Sequence, residues 1–167
     1  MVDRERLTED VKRHEGHSAT VYVDSVGVAT IGWGRNLKAV SLSQDEVLAI
    51  TEGTADHAQL VRALFNGIPM AASQLMLEHD LDRAVETASR LVPGFNSLDP
   101  IRAEALVNMA LNLGNRLGKF KLMLAAVGAK NWPEAKRQAL DSRWAEQVGH
   151  RAVELADRLE KGMVALA

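Results

Sequence analysis

His14-Glu15-Gly16, and a few residues later Tyr22-Val23-Asp24-Ser25-Val26-Gly27-Val28-Ala29-Thr30-Ile31-Gly32-Trp33-Gly34-Arg35-Asn36, form the stretch that decides how this chain is read. Ahead of it, Leu7 and Val11 stand four residues apart on one helical face, so residues 3–14 read as a short amphipathic helix. Gly16 suits the position after a helix end, which leaves Glu15 at the terminus. Beyond it, residues 20–23 and 28–31 are β-type runs, with Ser25-Val26-Gly27 as the turn between two strands. Gly32 and Gly34 let the backbone bend sharply or let a ligand come close. One carboxylic acid thus falls at a helix end, a second on a β-ribbon, and a hydroxyl on the following strand. Two acids flanking a groove, with a group to hold a water, are the minimum equipment for breaking a glycosidic bond.

Taken singly, these residues are ordinary. A glutamate at a helix end is usually a solvated charge, aspartate before Ser-Val-Gly is good turn chemistry, and threonine suits a strand. Their order is what carries chemistry: Glu15, Asp24 nine residues on, and Thr30 six further. A general acid must deliver a proton to the leaving sugar oxygen. The other carboxylate stays ionised to stabilise positive charge at the anomeric carbon and to help hold a water. A neighbouring hydroxyl accepts a hydrogen bond from that water and orients it.

Outward from this stretch, Ser43-Gln44-Asp45-Glu46 fits a capping box opening a helix into Val47, Leu48 and Ile50. Residues 51–69 are ambiguous, because Leu60, Val61, Leu64 and Phe65 have helical spacing while Gly67 and Pro69 break it. A long helix spans about 71–91 and stops at Pro93-Gly94. Asp99-Pro100 starts another, apolar on nearly all sides and therefore the buried centre of a helical lobe, ended by Gly114. Shorter helices follow at roughly 119–127 and 132–141, and a last one at roughly 149–162. The expectation is an α+β, mostly helical chain with one domain over 1–167. It has a small N-terminal β-containing lobe at about 15–70, a connecting helix at about 71–91 and a helical lobe at about 92–167 plus 1–14.

The chain has 167 residues, 47% of them hydrophobic, so it can build a core; it has no cysteine, which excludes disulfides and thiol chemistry. A net charge of -2 without a basic stripe argues against a nucleic-acid partner. No apolar h-region opens the chain and no apolar run is long enough to span a membrane, so neither secretion by a signal peptide nor membrane insertion is expected. The five histidines, at 14, 17, 57, 79 and 150, show no metal-ligand pattern.

At these residues the chain resembles the phage-type lysozymes of glycoside hydrolase family 24. The resemblance rests on Glu15-Gly16, Tyr22-x-Asp24, Thr30-Ile31-Gly32-x-Gly34, Asn108-Met109 with Gly114, and Ser142-Arg143-Trp144 followed by Arg151-Ala152, and covers most of the chain outside residues 37–70. It implies a lysozyme-like two-lobed fold with a groove between the lobes. It implies Glu15 as general acid, with Asp24 and Thr30 completing the catalytic set. The implied reaction is hydrolysis, without metal or cofactor, of the β-1,4 bond between N-acetylmuramic acid and N-acetylglucosamine in peptidoglycan, with inversion. Arg151 resembles the family's arginine that pairs with the catalytic glutamate. A guanidinium beside an acid favours its ionised form, so its role is orientation and lobe closure, with desolvation by bound sugar restoring the proton.

Around this set, Tyr22, Trp33, Arg35, Asn112, Gln147 and Arg151 are candidate substrate-binding residues. The family often has histidine where this chain has Arg35, which never loses its proton and is expected to bind substrate carboxylates. Trp33 is suited to stacking on a sugar face or to the core, and Trp144 to the core. The expected partner is the peptidoglycan glycan strand, met by a monomer made in a host cytoplasm or carried on a virion. Lytic transglycosylase activity, a catalytically inactive wall-binding or virion module, and a small helical DNA-binding protein are the competing readings; Thr30 beside Asp24 favours hydrolysis.

Overall fold

The computed structural model describes residues 2–24 and 27–163, so Ser25 and Val26 of the expected turn lie outside the described residues. Helix α1 (Arg4–Glu15) closes at Glu15, where Gly16 takes φ 66°. That left-handed conformation is one glycine adopts without steric cost. Strands β1 (Ser18–Val23), β2 (Ala29–Gly32) and β3 (Arg35–Asn36) follow as an antiparallel sheet in that order. Tyr22 lies opposite Thr30 across β1 and β2; Thr30 and Ile31 in turn face Asn36 and Arg35 across β2 and β3. The two-residue β3 is an addition to the sequence expectation. It exists because Gly34, at φ 77°, turns the chain back on β2.

Helix α2 (Gln44–Ile50) opens on the expected capping box: Ser43 N donates to Glu46 Oε2 at 2.8 Å, and Glu46 N to Ser43 Oγ at 3.4 Å. The ambiguous region contains α3 (His57–Asn66), capped by Asp56 and stopped at Gly67. No residue of α3 is fully buried. Leu60, Ala63 and Leu64 only lean on a core of Ile31, Ile50, Ile68, Ala72 and Met76. Helix α4 (Met70–Leu91) comes next.

The contacts of the chain divide it into two compact units, residues 8–80 and residues 1–7 with 81–167, so that both α1 and α4 contribute to each. The second unit holds α5 (Pro100–Leu113), α6 (Lys121–Gly128), α7 (Trp132–Leu140), α8 (Arg143–Val148) and α9 (His150–Lys161). Asp99 caps α5 and Pro100 occupies its first turn, as the sequence predicts. Residues 103–110 of α5 are all buried, the polar Glu104 and Asn108 among them, as befits a helix at the centre of its unit. It packs against α9, which packs in turn on α7. Helix α8 is six residues long and was not foreseen; Ser142 caps its start and Gly149, at φ 56°, separates it from α9. Among the described residues no single helix is long and apolar enough to cross a membrane.

Candidate active site

Glu15 ends α1 half-buried, and its carboxylate lies against Gly34. A Cβ at position 34 would stand 2.7 Å from Oε2 and 3.2 Å from Cδ. No side chain fits there without displacing the acid, which accounts for the second glycine of Gly32-Trp33-Gly34.

Asp24 follows β1 and closes the ribbon turn with its own side chain. Val28 N donates to Asp24 Oδ1 at 2.8 Å, and Asp24 N to Val28 O at 2.9 Å. Thr30, on the central strand, is 4% exposed, and its hydroxyl donates to Val28 O at 3.1 Å. With its one proton directed there, the hydroxyl has lone pairs to offer a donor such as water. Tyr22, across the ladder from Thr30, is 40% exposed. Its hydroxyl is held above its usual range first by partial burial, then by the charges of Glu15 and of Asp24. One phenol on β1 therefore senses both carboxylates.

Trp33 is half-buried between two partners: its ring centroid is 4.6 Å from that of His17, at 52°, and Lys12 Nζ lies 5.3 Å from the ring. His17 Nε2 is in turn 3.1 Å from the buried Ser73 Oγ. Neither Lys12 nor His17 carries a sequence signal for this contact beyond its place on either side of Glu15.

Arg35 requires a correction. Expected as a binder of substrate carboxylates, it is 3% exposed and its guanidinium is spent inside the protein. Nε donates to Asp80 Oδ2 at 2.7 Å, Nη1 to Glu46 Oε2 at 3.2 Å, and Nη2 to Glu46 Oε1 at 2.9 Å and to Met76 O at 2.7 Å. Burial alone would lower the Arg35 pKa, but the hydrogen bonds and charges of Glu46 and Asp80 outweigh it and raise it. Burial alone would raise the Glu46 carboxyl. Hydrogen bonds from Arg35, Ser43 N and His79 outweigh that and hold it at about 2. A guanidinium so placed has no surface to present to a ligand.

Asn112, Gln147 and Arg151 belong to the unit of residues 1–7 and 81–167. Asn112 Oδ1 accepts from Trp144 Nε1 at 3.0 Å, which leaves its amide NH2 as the donor it offers. Trp144 is buried, as expected. Gln147 is exposed and, with Phe120 and Trp144 among others, lines a surface pocket of about 620 Å³. Arg151 donates through Nε and Nη2 to Oδ1 of the fully buried Asn108, at 3.0 and 2.7 Å. Asn108 thus fixes the base of the Arg151 fork on α5.

Residues 12–161 match the family model described as phage lysozyme. "Probable T4-type lysozyme 2" of Dictyostelium discoideum is 30% identical over 161 residues, covering 93% of this chain and 94% of that protein. "Probable T4-type lysozyme 1" of the same organism is 26% identical over 160 residues, with the same shares. The pre-baseplate central spike protein Gp5 of Enterobacteria phage T4 is 29% identical over 161 residues, which cover 87% of this chain and 26% of that protein.

Proposed function

The chain belongs to the phage lysozyme family and is thereby a peptidoglycan-degrading glycoside hydrolase, and from that premise we propose the reaction and the residues that carry it out. The bond cleaved is the β-1,4 linkage between N-acetylmuramic acid and N-acetylglucosamine. Glu15 gives its proton to the leaving glycosidic oxygen as the bond to the anomeric carbon breaks. A water held by the Asp24 carboxylate and the Thr30 hydroxyl attacks that carbon from the opposite face and loses a proton to Asp24, so the product is inverted. Tyr22 and Trp33 contact sugar beside these groups. Arg35 is not among them.

The observation that carries this reading is the arrangement on one small sheet: the Glu15 carboxylate lies against Gly34 at the β2–β3 turn, and Thr30 on β2 pairs with Tyr22, two residues before Asp24. Water rather than a covalent sugar between the acids requires a carboxyl separation of roughly 6.5–9.5 Å in the complex. Digestion of purified sacculi in heavy-oxygen water, with mass analysis of the sugar ends, tests the reaction. The expected product is reducing N-acetylmuramic acid, first formed as the α anomer and carrying one solvent oxygen. An anhydro ring without solvent oxygen would mean a transglycosylase, and an early β anomer a retaining enzyme. Glu15→Gln should lower the rate by about 10²–10⁴ with the fold intact. Retention of more than about a tenth of wild-type clearing would remove Glu15 from the role.

The similarity to a stretch of a phage central spike protein supports a second reading of where the chain works, as part of a virion entering the wall from outside. Quantifying the protein in purified virions against the soluble lysate separates this from a free lysozyme released at lysis.

A further inference from the structure

We propose that Arg35 is a positioning residue for this reaction: its buried guanidinium ties the turn that seats Glu15 and the strand that carries Thr30 to α2 and α4. The proposal rests on the reading of Glu15, Asp24 and Thr30 given above.

Three placements meet at this residue. Gly34, directly before it, provides the bare backbone against which the Glu15 carboxylate lies. Arg35 itself pairs with Ile31, and Asn36 with Thr30, so the register of β3 sets where the Thr30 hydroxyl stands. The side chain reaches acceptors on two helices, Glu46 on α2 and both Met76 O and Asp80 on α4. Four N–H donors of a rigid planar group are committed at 2.7 to 3.2 Å. The backbone of Arg35 cannot shift without breaking several of these bonds at once. A two-residue strand has too few ladder bonds to hold such a turn alone, and the side chain supplies the missing constraint.

Stability alone does not call for an arginine at this position. A buried ion pair is often no better than apolar residues of the same volume, because desolvating the charges offsets their attraction. What an arginine adds is directional: its fork engages carboxylates on two elements in one plane, which the single ammonium of lysine does not reproduce. An acid misplaced by about an ångström costs on the order of a hundredfold in rate, so a clamp one residue from Gly34 bears directly on catalysis.

Arg35→Lys and the milder Asp80→Asn, compared with wild type on soluble peptidoglycan fragments, test the proposal, with Glu15→Gln in parallel. Arg35→Lys is expected to lower kcat on the order of ten- to a hundredfold, with KM within about twofold. Its kcat–pH profile should change shape, which a merely structural role would not produce. Asp80→Asn should change both in the same direction by less, and it decides the matter if Arg35→Lys does not fold. Wild-type kcat and pH profile in the folded variants, alongside an inactive Glu15→Gln, would overturn the positioning role alone and leave Arg35 structural. An active Glu15→Gln would overturn the reading of Glu15 and this proposal with it.

Discussion

In residues 8–80 the described buried polar side chains are Asp10, Thr30, Arg35, Glu46, Thr51 and Ser73, whereas residues 1–7 with 81–167 bury Glu104 and Asn108. Each of those two stitches α5 to a remote helix. Glu104 accepts from Arg6 Nε and Nη2, and Asn108 accepts from Arg151. Apolar packing fills the centre of that unit, with Leu106 and Met109 on α5 and Leu155 and Leu159 on α9 all fully buried, while Arg102 at the start of α5 donates to Leu159 O and Glu160 O at the end of α9. In the first unit polar groups converge: Arg35 joins Glu46 and Asp80, and His79 Nδ1 lies 2.9 Å from Glu46 Oε1. Three short strands and the half-buried α3 give this unit a small apolar core, and directional bonds fix what packing leaves loose. Packing thus dominates one unit, and hydrogen-bond geometry fixes turns and strands in the other.

The contrast can be broken at its strongest point by Glu46→Ala, which takes two hydrogen bonds and one of two carboxylate partners from the buried guanidinium and leaves it Asp80 and Met76 O. A loss of about 4 kcal/mol is expected, read by denaturant unfolding. A loss under about 1 kcal/mol would mean that the network contributes little. Leu155→Ala in α9 should cost about 3 kcal/mol through transfer and cavity terms, while activity per folded molecule stays at the wild-type level. Falling activity at constant fold would blur the division between the units.

Acid sharpens the comparison. Glu46 is held at about 2 against an ordinary 4.5, so its contribution is fully present above the ordinary value and is lost as pH falls toward about 2. Melting temperatures of wild type and Glu46→Gln should therefore differ most above pH 4.5 and converge toward pH 2. Parallel curves across that range would remove Glu46 as the cause. The smallest effect is expected from Arg151→Ala, about 1–2 kcal/mol, because the buried Asn108 loses two good donors while the helix packing stays. Calorimetry of the variant measures it, and no change in stability would mean that Asn108 finds other partners.

How much of this was legible in the sequence depended on the range of the signal. The end of α1 at Glu15, the cap at Asp99, the capping box at Ser43 and the buried character of α5 are written in neighbouring residues. Helix α3 was not, because Gly67 and Pro69 interrupt a pattern that buries no residue fully. Helix α8 is a little under two turns and is hidden in the motif around Trp144. At the site, the order Glu15, Asp24, Thr30 is local, and so was readable. Arg35 was misread because its partners lie 11 and 45 residues away, so nothing nearby distinguishes a buried cation from an exposed one. The capping box did single out Glu46, but its second task toward Arg35 belongs to the tertiary structure.

Helix α1 starts in the unit it shares with residues 81–167 and ends, at Glu15, in the other. Its opening residues are held by Glu104, which takes the Asp3 amide and the Arg6 side chain across 98 to 101 positions of chain. During translation at about 5–20 residues per second, the first turn must wait roughly 5–20 s for that partner to be synthesised. The segment made first is therefore secured only after more than half of the chain has been made. Shortening the chain by its first seven residues would take the Asp3 amide and the Arg6 side chain from the buried Glu104 of α5, an injury to the helical unit rather than to the sheet that follows α1 directly.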